Sequence, residues 1–176
     1  MGLEFIKSFE SSTDTSSKNV TDMFIAPYDK FLVVIKEMQT SASGRYGEFR
    51  FIDNTDTVKT DANYDWIFRQ QPSYTDFFDR PDTNVTVGRG LVVDPQTLAE
   101  SGGVQCYVLN PLDSGKYTSI IFKGSYTNTG GGYESLNGIC TYTTKNVITG
   151  MSFFFSSSSN IDGLKLSVYG VKSWVL

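Results

Sequence analysis

Apolar and polar residues alternate with a period of two through most of the chain, and this restricts the fold more than any other feature. In "GLKLSVYGV", residues 163–171, Leu164, Leu166 and Val168 fall on one side and Lys165, Ser167 and Tyr169 on the other. That is the pattern of a half-buried antiparallel strand. "NYDWIFRQ" sets Tyr64, Trp66 and Phe68 against Asp65, Ile67 and Arg69, and "GEFRFID" sets Phe49 and Phe51 against Glu48 and Arg50. "GVQCYVLN" sets Val104, Cys106 and Val108 against Gln105 and Tyr107. "YDKFLVVIKEMQT" and "KYTSIIFKGSYT" are apolar on both faces in their middles, as central strands of a sandwich are. With segments 3–9, 84–93, 135–142 and 147–154, about ten strands are predicted.

Turn residues punctuate these segments. "NPLDSG" at 110–115, "NTGGGYES" at 128–135, "QQPSYTD" at 70–76 and "RPDTN" at 80–84 carry the Gly, Pro, Asn and Asp that turns require. Only "DPQTLAES", residues 94–101, has helical character, with Asp94 as N-cap and proline next. Segment 10–19 is polar and reads as a loop, and the serine run after Phe155 reads as a turn closing a final hairpin. Many short strands without alternating helices predict an all-β fold, a two-sheet antiparallel sandwich in a single domain over 1–176. A jelly roll is the preferred version, ahead of another sandwich or an up-and-down barrel.

Composition narrows function. A net charge of −4 and the absence of histidine provide no positive field for a phosphate backbone, so no nucleic-acid partner is expected. Without histidine, Ser-His-Asp and Cys-His nucleophiles and histidine metal sites are excluded. "TGGGYES" and "GRG" lack the residues that complete a phosphate-binding loop and are hairpin loops. No catalytic residue, cofactor or metal is therefore predicted. "MGLEFIKSFE" has no basic start or apolar core and reads as a first strand, so folding in the cytosol is expected; Ile6 breaks the myristoylation pattern. No apolar run reaches membrane-spanning length, so no membrane partner is expected. Cys106 and Cys140 read as buried thiols, with a bridge as the alternative.

Three residue sets merit weighing. Glu48, Asp65, Glu100 and Glu134 are the acids a glycosidase would recruit, but nothing pairs them. Asp53, Asp56, Asp61 and Asp65 lack the calcium-loop pattern and read as a solvated connection. In "YDWIFRQQPSYTDFF", Tyr64, Trp66, Tyr74, Phe77 and Phe78 are the candidate glycan or partner contacts. The same-face spacing of Tyr64, Trp66 and Phe68 favours a core strand over that platform.

Several segments resemble a known group. "SSSSNIDGLKLSVYGVK" resembles the closing segment of small virion-surface β-proteins of tailed phages, notably those of cyanobacteria and marine bacteria. "MGLEFIKSFE", "YDKFLVVIKEMQTSASGRYGEFRFID" and "VLNPLDSGKYTSIIF" are similar to their opening and middle segments. The resemblance implies a jelly roll or related sandwich without catalytic residues, acting on the virion surface after folding in the host cytoplasm. It implies a capsid decoration or cement protein whose partners are phage capsid or tail proteins and copies of itself, a trimer among the options. The alternative is a tail-fibre or spike tip domain that binds host glycan. The group has no shared site motif, so no functional residue is carried over.

Overall fold

The structure, a computed structural model, describes residues 2–40, 42, 45–72, 78–93, 103–127 and 133–172. Its strands are β1 (Gly2–Ser11), β2 (Lys18–Val20), β3 (Lys30–Gln39), β4 (Tyr46–Asp53), β5 (Tyr64–Pro72) and β6 (Phe78–Val85). They continue as β7 (Gly88–Val93), β8 (Gly103–Leu109), β9 (Thr118–Thr127), β10 (Tyr133–Tyr142), β11 (Ile148–Phe155) and β12 (Gly163–Lys172). The larger sheet has the order β1-β12-β3-β8-β9-β10-β5-β6 and the smaller β2-β11-β4-β7. Every pairing is antiparallel. The chain is thus a two-sheet antiparallel sandwich, as the alternation predicts. Among the described residues no helix is long and apolar enough to cross a membrane.

The alternating apolar residues meet between the sheets. Leu164, Leu166 and Val168 of β12, Val104, Cys106 and Val108 of β8, and Trp66 and Phe68 of β5 line the larger sheet's inner face. Phe49 and Phe51 of β4 and Met151, Phe153 and Phe155 of β11 face them from the smaller sheet. Each fully buried phenylalanine contributes about 2–3 kcal/mol relative to exposure. β7 passes so close to the larger sheet that Gly90, at φ 106°, leaves room for nothing larger: a Cβ there lies 2.8 Å from the Phe122 ring. Both cysteines are free and buried. β9 lies between the strands that carry them, which keeps them from bridging. Burial pushes the Cys106 thiol up to about 12 and raises Cys140 as well, so neither is a thiolate nucleophile.

The structure departs from the sequence expectations at four places. Segment 84–93, expected as one strand, is divided between the end of β6 in the larger sheet and β7 in the smaller. The polar segment 10–19 contains the start of β2, whose Lys18 and Val20 are buried while Asn19 is exposed. "RPDTN" is not a turn but the middle of β6; an edge strand tolerates Pro81 because one side of its backbone has no neighbour. The largest departure concerns the chain's last two strands, which form no hairpin. β11 lies in the smaller sheet and β12 in the larger, and the serines carry the chain across. Ser157 and Ser158 take φ of 59° and 56° in the turn that carries the chain from one sheet to the other. The crossing is pinned where the Tyr46 N–H donates to Ser156 Oγ at 3.0 Å and Arg45 Nε donates to Ser159 Oγ at 2.8 Å. The 94–101 helix and the "TGGG" loop lie outside the described residues.

Candidate functional site

The outer face of the larger sheet carries the most unusual surface. Register places Pro81, Ile67, Ile139, Ile121, Tyr107, Leu32, Tyr169 and Phe5 opposite one another in turn, one from each strand between β6 and β1. Directly opposed side chains on one face have Cβ atoms about 5 Å apart, so the row is continuous across all eight strands, a width of about 34 Å at normal strand spacing. Ile67, Ile139, Ile121 and Tyr107 are each 41–47% exposed, and Phe5 is 58% exposed. Leu32 alone is buried. At the end of the row, the Phe5 and Tyr169 rings meet edge to face at 5.8 Å.

Apart from Leu109, the residues that border the row on both sides are polar. Arg69, Asn137, Lys123 and Gln105 are successive cross-strand neighbours on one border, and Asp65, Thr141, Ser119 and Leu109 on the other. Ser119 and Thr141 share a hydrogen bond of 2.9 Å, and Asp65 Oδ1 accepts the Asn84 N–H at 2.8 Å. Between Ile67, Ile121 and Ile139 lies a shallow depression of about 480 Å³. An apolar row in a polar frame has the anatomy of a protein interface.

The outer face of the smaller sheet differs. Asn19, Ser152, Arg50, Phe154 and Glu48 floor a cleft of about 520 Å³, walled by Val58 and Thr60 and by Ser157 and Ser158 of the crossing turn. The Arg50 guanidinium lies 4.8 Å from the Phe154 ring centroid, and its Nε donates to the Thr86 carbonyl at 2.9 Å. Glu48 is buried and accepts from Arg89 Nε at 2.6 Å. Burial pushes its carboxyl above the usual carboxylate range, although Arg89 and Arg50 pull the other way. The wall is a braced loop: Asp53 Oδ1 accepts the N–H groups of Thr55 and Thr57, and Lys59 Nζ reaches Oδ2 at 3.0 Å.

The aromatics singled out in the sequence do not form a platform. Tyr64 is fully buried, its hydroxyl donating to the Lys59 carbonyl and accepting the Phe51 N–H at 2.9 Å. Trp66 is 7% exposed and stacked on Phe68. Neither ring offers a face to a ligand, because both stand on the inward side of β5. The Phe78 backbone pairs with Gln70, while Tyr74 and Phe77 lie outside the described residues. The weighed acids are scattered: Glu48 is in the cleft, Asp65 on the larger sheet's outer face, and Glu134 buried against Tyr126 and Gln70 Nε2. Glu100 lies outside the described residues. Asp61 accepts from Tyr142, Asn63 and Thr144.

No family model matches the chain, and neither a curated protein nor a solved structure is significantly similar to it.

The residues that sequence reasoning missed are Ile67, Tyr107, Ile121 and Ile139. Their signal is present in the alternation, since each is an apolar residue standing in the polar phase of its strand. Ile67 stands between Asp65 and Arg69, and Ile121 between Ser119 and Lys123.

Proposed function

We propose that the protein is a non-enzymatic structural component of a tailed-phage virion, of the capsid decoration or cement type, that works by docking the outer face of its larger sheet. The observation that carries this is the apolar row, because the exposed strip from Ile67 through Ile139 and Ile121 to Tyr107 marks an interaction surface. The resemblance of the opening, middle and closing segments to small virion proteins supports the same function. Strand order supports a jelly roll. With the β5-β6 and β9-β10 hairpins set aside, the remaining eight strands pair first-eighth-third-sixth and second-seventh-fourth-fifth, the nested order of that fold. The two hairpins then extend one sheet and carry half of the apolar row. On a particle, many copies multiply a modest contact into large stability. Particles lacking the protein should lose heat resistance, and purified wild type should restore it where Ile121→Asp does not. Unchanged heat resistance together with no binding of the purified protein to such particles would remove the proposal.

The cleft favours a second function, recognition of host-surface glycan by a tail-fibre or spike tip. Asn19, Arg50, Ser152 and the surrounding hydroxyls supply donors and acceptors, and Phe154 an apolar floor. A glycan array probed with the folded protein tests it: binding lost on Arg50→Ala supports recognition, and a blank array excludes it.

A further inference from the structure

The borders of the apolar row indicate what covers it. They are polar in different ways: Arg69 and Lys123 stand on one side, and an acid and two hydroxyls, Asp65, Thr141 and Ser119, on the other, which continues through Leu109 to Lys30 on β3. A two-fold axis laid along the row brings a second copy face to face, sets each strand opposite its own counterpart, and exchanges the borders. Arg69 then meets Asp65 of the second copy, Asn137 meets Thr141, and Lys123 meets Ser119, while the isoleucines close on one another. No like charges in these two borders oppose each other. With the axis along β9 instead, Lys123 faces Lys123 of the second copy, although Asp65 then meets Lys30, which continues its border on β3.

We propose that the outer face of the eight-stranded sheet pairs with the same face of a second copy of this chain, about a two-fold axis along Ile67, Ile139, Ile121 and Tyr107. This rests on the docking function proposed above and names its partner. Area supports it. Eight strands by three residue rows span at most about 600 Å² per copy, roughly 1,200 Å² in total, because Leu32, Ser167 and Val171 are already buried; that is the lower limit of a specific interface. Such a face yields a dimer with a Kd of about 1–100 µM in solution, stable where copies are concentrated on a particle. Self-complementary pairing by one patch is the commonest closed symmetry.

Sedimentation of the full chain over a concentration series tests the pairing. The wild type should move from monomer to dimer in the micromolar range, and Ile121→Asp should remain monomeric with an unchanged circular dichroism spectrum. Arg69→Asp and Asp65→Arg should each weaken the dimer about tenfold, and the double exchange should recover most of the loss, which damage to the fold alone would not do. A wild type that stays monomeric to about 500 µM, or forms trimers insensitive to Ile121→Asp, overturns the inference. Binding to phage particles separates the two ideas. A monomer whose particle binding is lost on Ile121→Asp keeps the docking function and removes the dimer; a dimer that binds no particle does the reverse.

Discussion

Ile52 and Ile121 occupy equivalent situations on the two sheets and meet opposite fates. Each stands on the outward side of its strand. Ile52, on the smaller sheet, is 1% exposed because its own chain folds back over it: Val58 forms an isolated bridge to Ile52, in a loop braced by Asp53. Ile121, on the larger sheet, is 47% exposed, and its neighbours Ile67 and Ile139 are similarly bare. The same alternation therefore produces a polar outer face whose isoleucine is covered in one place and an open, apolar face in the other. What differs is cover, and a surface that the chain has covered at one sheet and left bare at the other is available for binding.

Four tests sharpen or break that comparison. The largest contrast lies between neighbours on β9. Phe122→Ala should cost about 3–5 kcal/mol by emptying the core, whereas Ile121→Ala should cost the dilute monomer less than about 1 kcal/mol, read by urea unfolding. Equal losses would mean that the outer face is buried after all.

The next effect belongs to the cleft. Arg89→Ala leaves the buried Glu48 carboxylate without its partner and should cost about 2 kcal/mol at pH 7, less than a fully buried pair because Arg89 is partly exposed. Glu48 has a folded pKa above its unfolded value of 4.5, so its protonated form favours the fold. That contribution is complete below pH 4.5 and is lost as pH rises through the folded value. The Arg89→Ala penalty should therefore be small at pH 4, and Glu48→Gln should abolish its pH dependence in unfolding measured at both pH values.

Val58→Asp comes third. It uncovers Ile52 and should cost about 1–2 kcal/mol without producing self-association of the smaller sheet's polar face, checked by thermal melting and sedimentation together. The smallest effect concerns the loop itself. Burial pushes Asp53 up, but hydrogen bonds from Thr55, Lys59 and Thr57 outweigh it and hold the carboxyl well below 3.8. Its stabilisation is present above pH 3.8 and lost as pH falls further, so Asp53→Asn should remove about 1 kcal/mol at neutral pH and little in acid. An acid limb of the stability curve that is unchanged by Asp53→Asn would show that the loop is not held in this way.

The strands were legible because alternation is a local property: β3, β4, β5, β8, β9 and β12 lie where their apolar phase puts them. β2 was not legible because three residues are too few for a period, and β6 was hidden by the turn-like residues Pro81, Asp82 and Asn84. The crossing after Phe155 was misread for a different reason. Serines allow a tight hairpin or an arch equally well, and the choice depends on which sheet has space beside β3 and β4. Of the site, the sequence contained Ile67, Ile121 and Ile139 as out-of-phase residues. It contained nothing that aligned them, and nothing that brought Arg50, Asn19 and Ser152 around one cleft.

By itself, then, the sequence determined which side chains of each strand point inward and that layered β-structure would bury them, because period-two burial is settled within a few residues. Only the tertiary structure decided which strands are neighbours, in what register, and which outward residues are covered. Those outcomes depend on pairing between segments far apart in the chain, where hydrogen bonds are alike at every register and the packing of the whole sandwich selects among them.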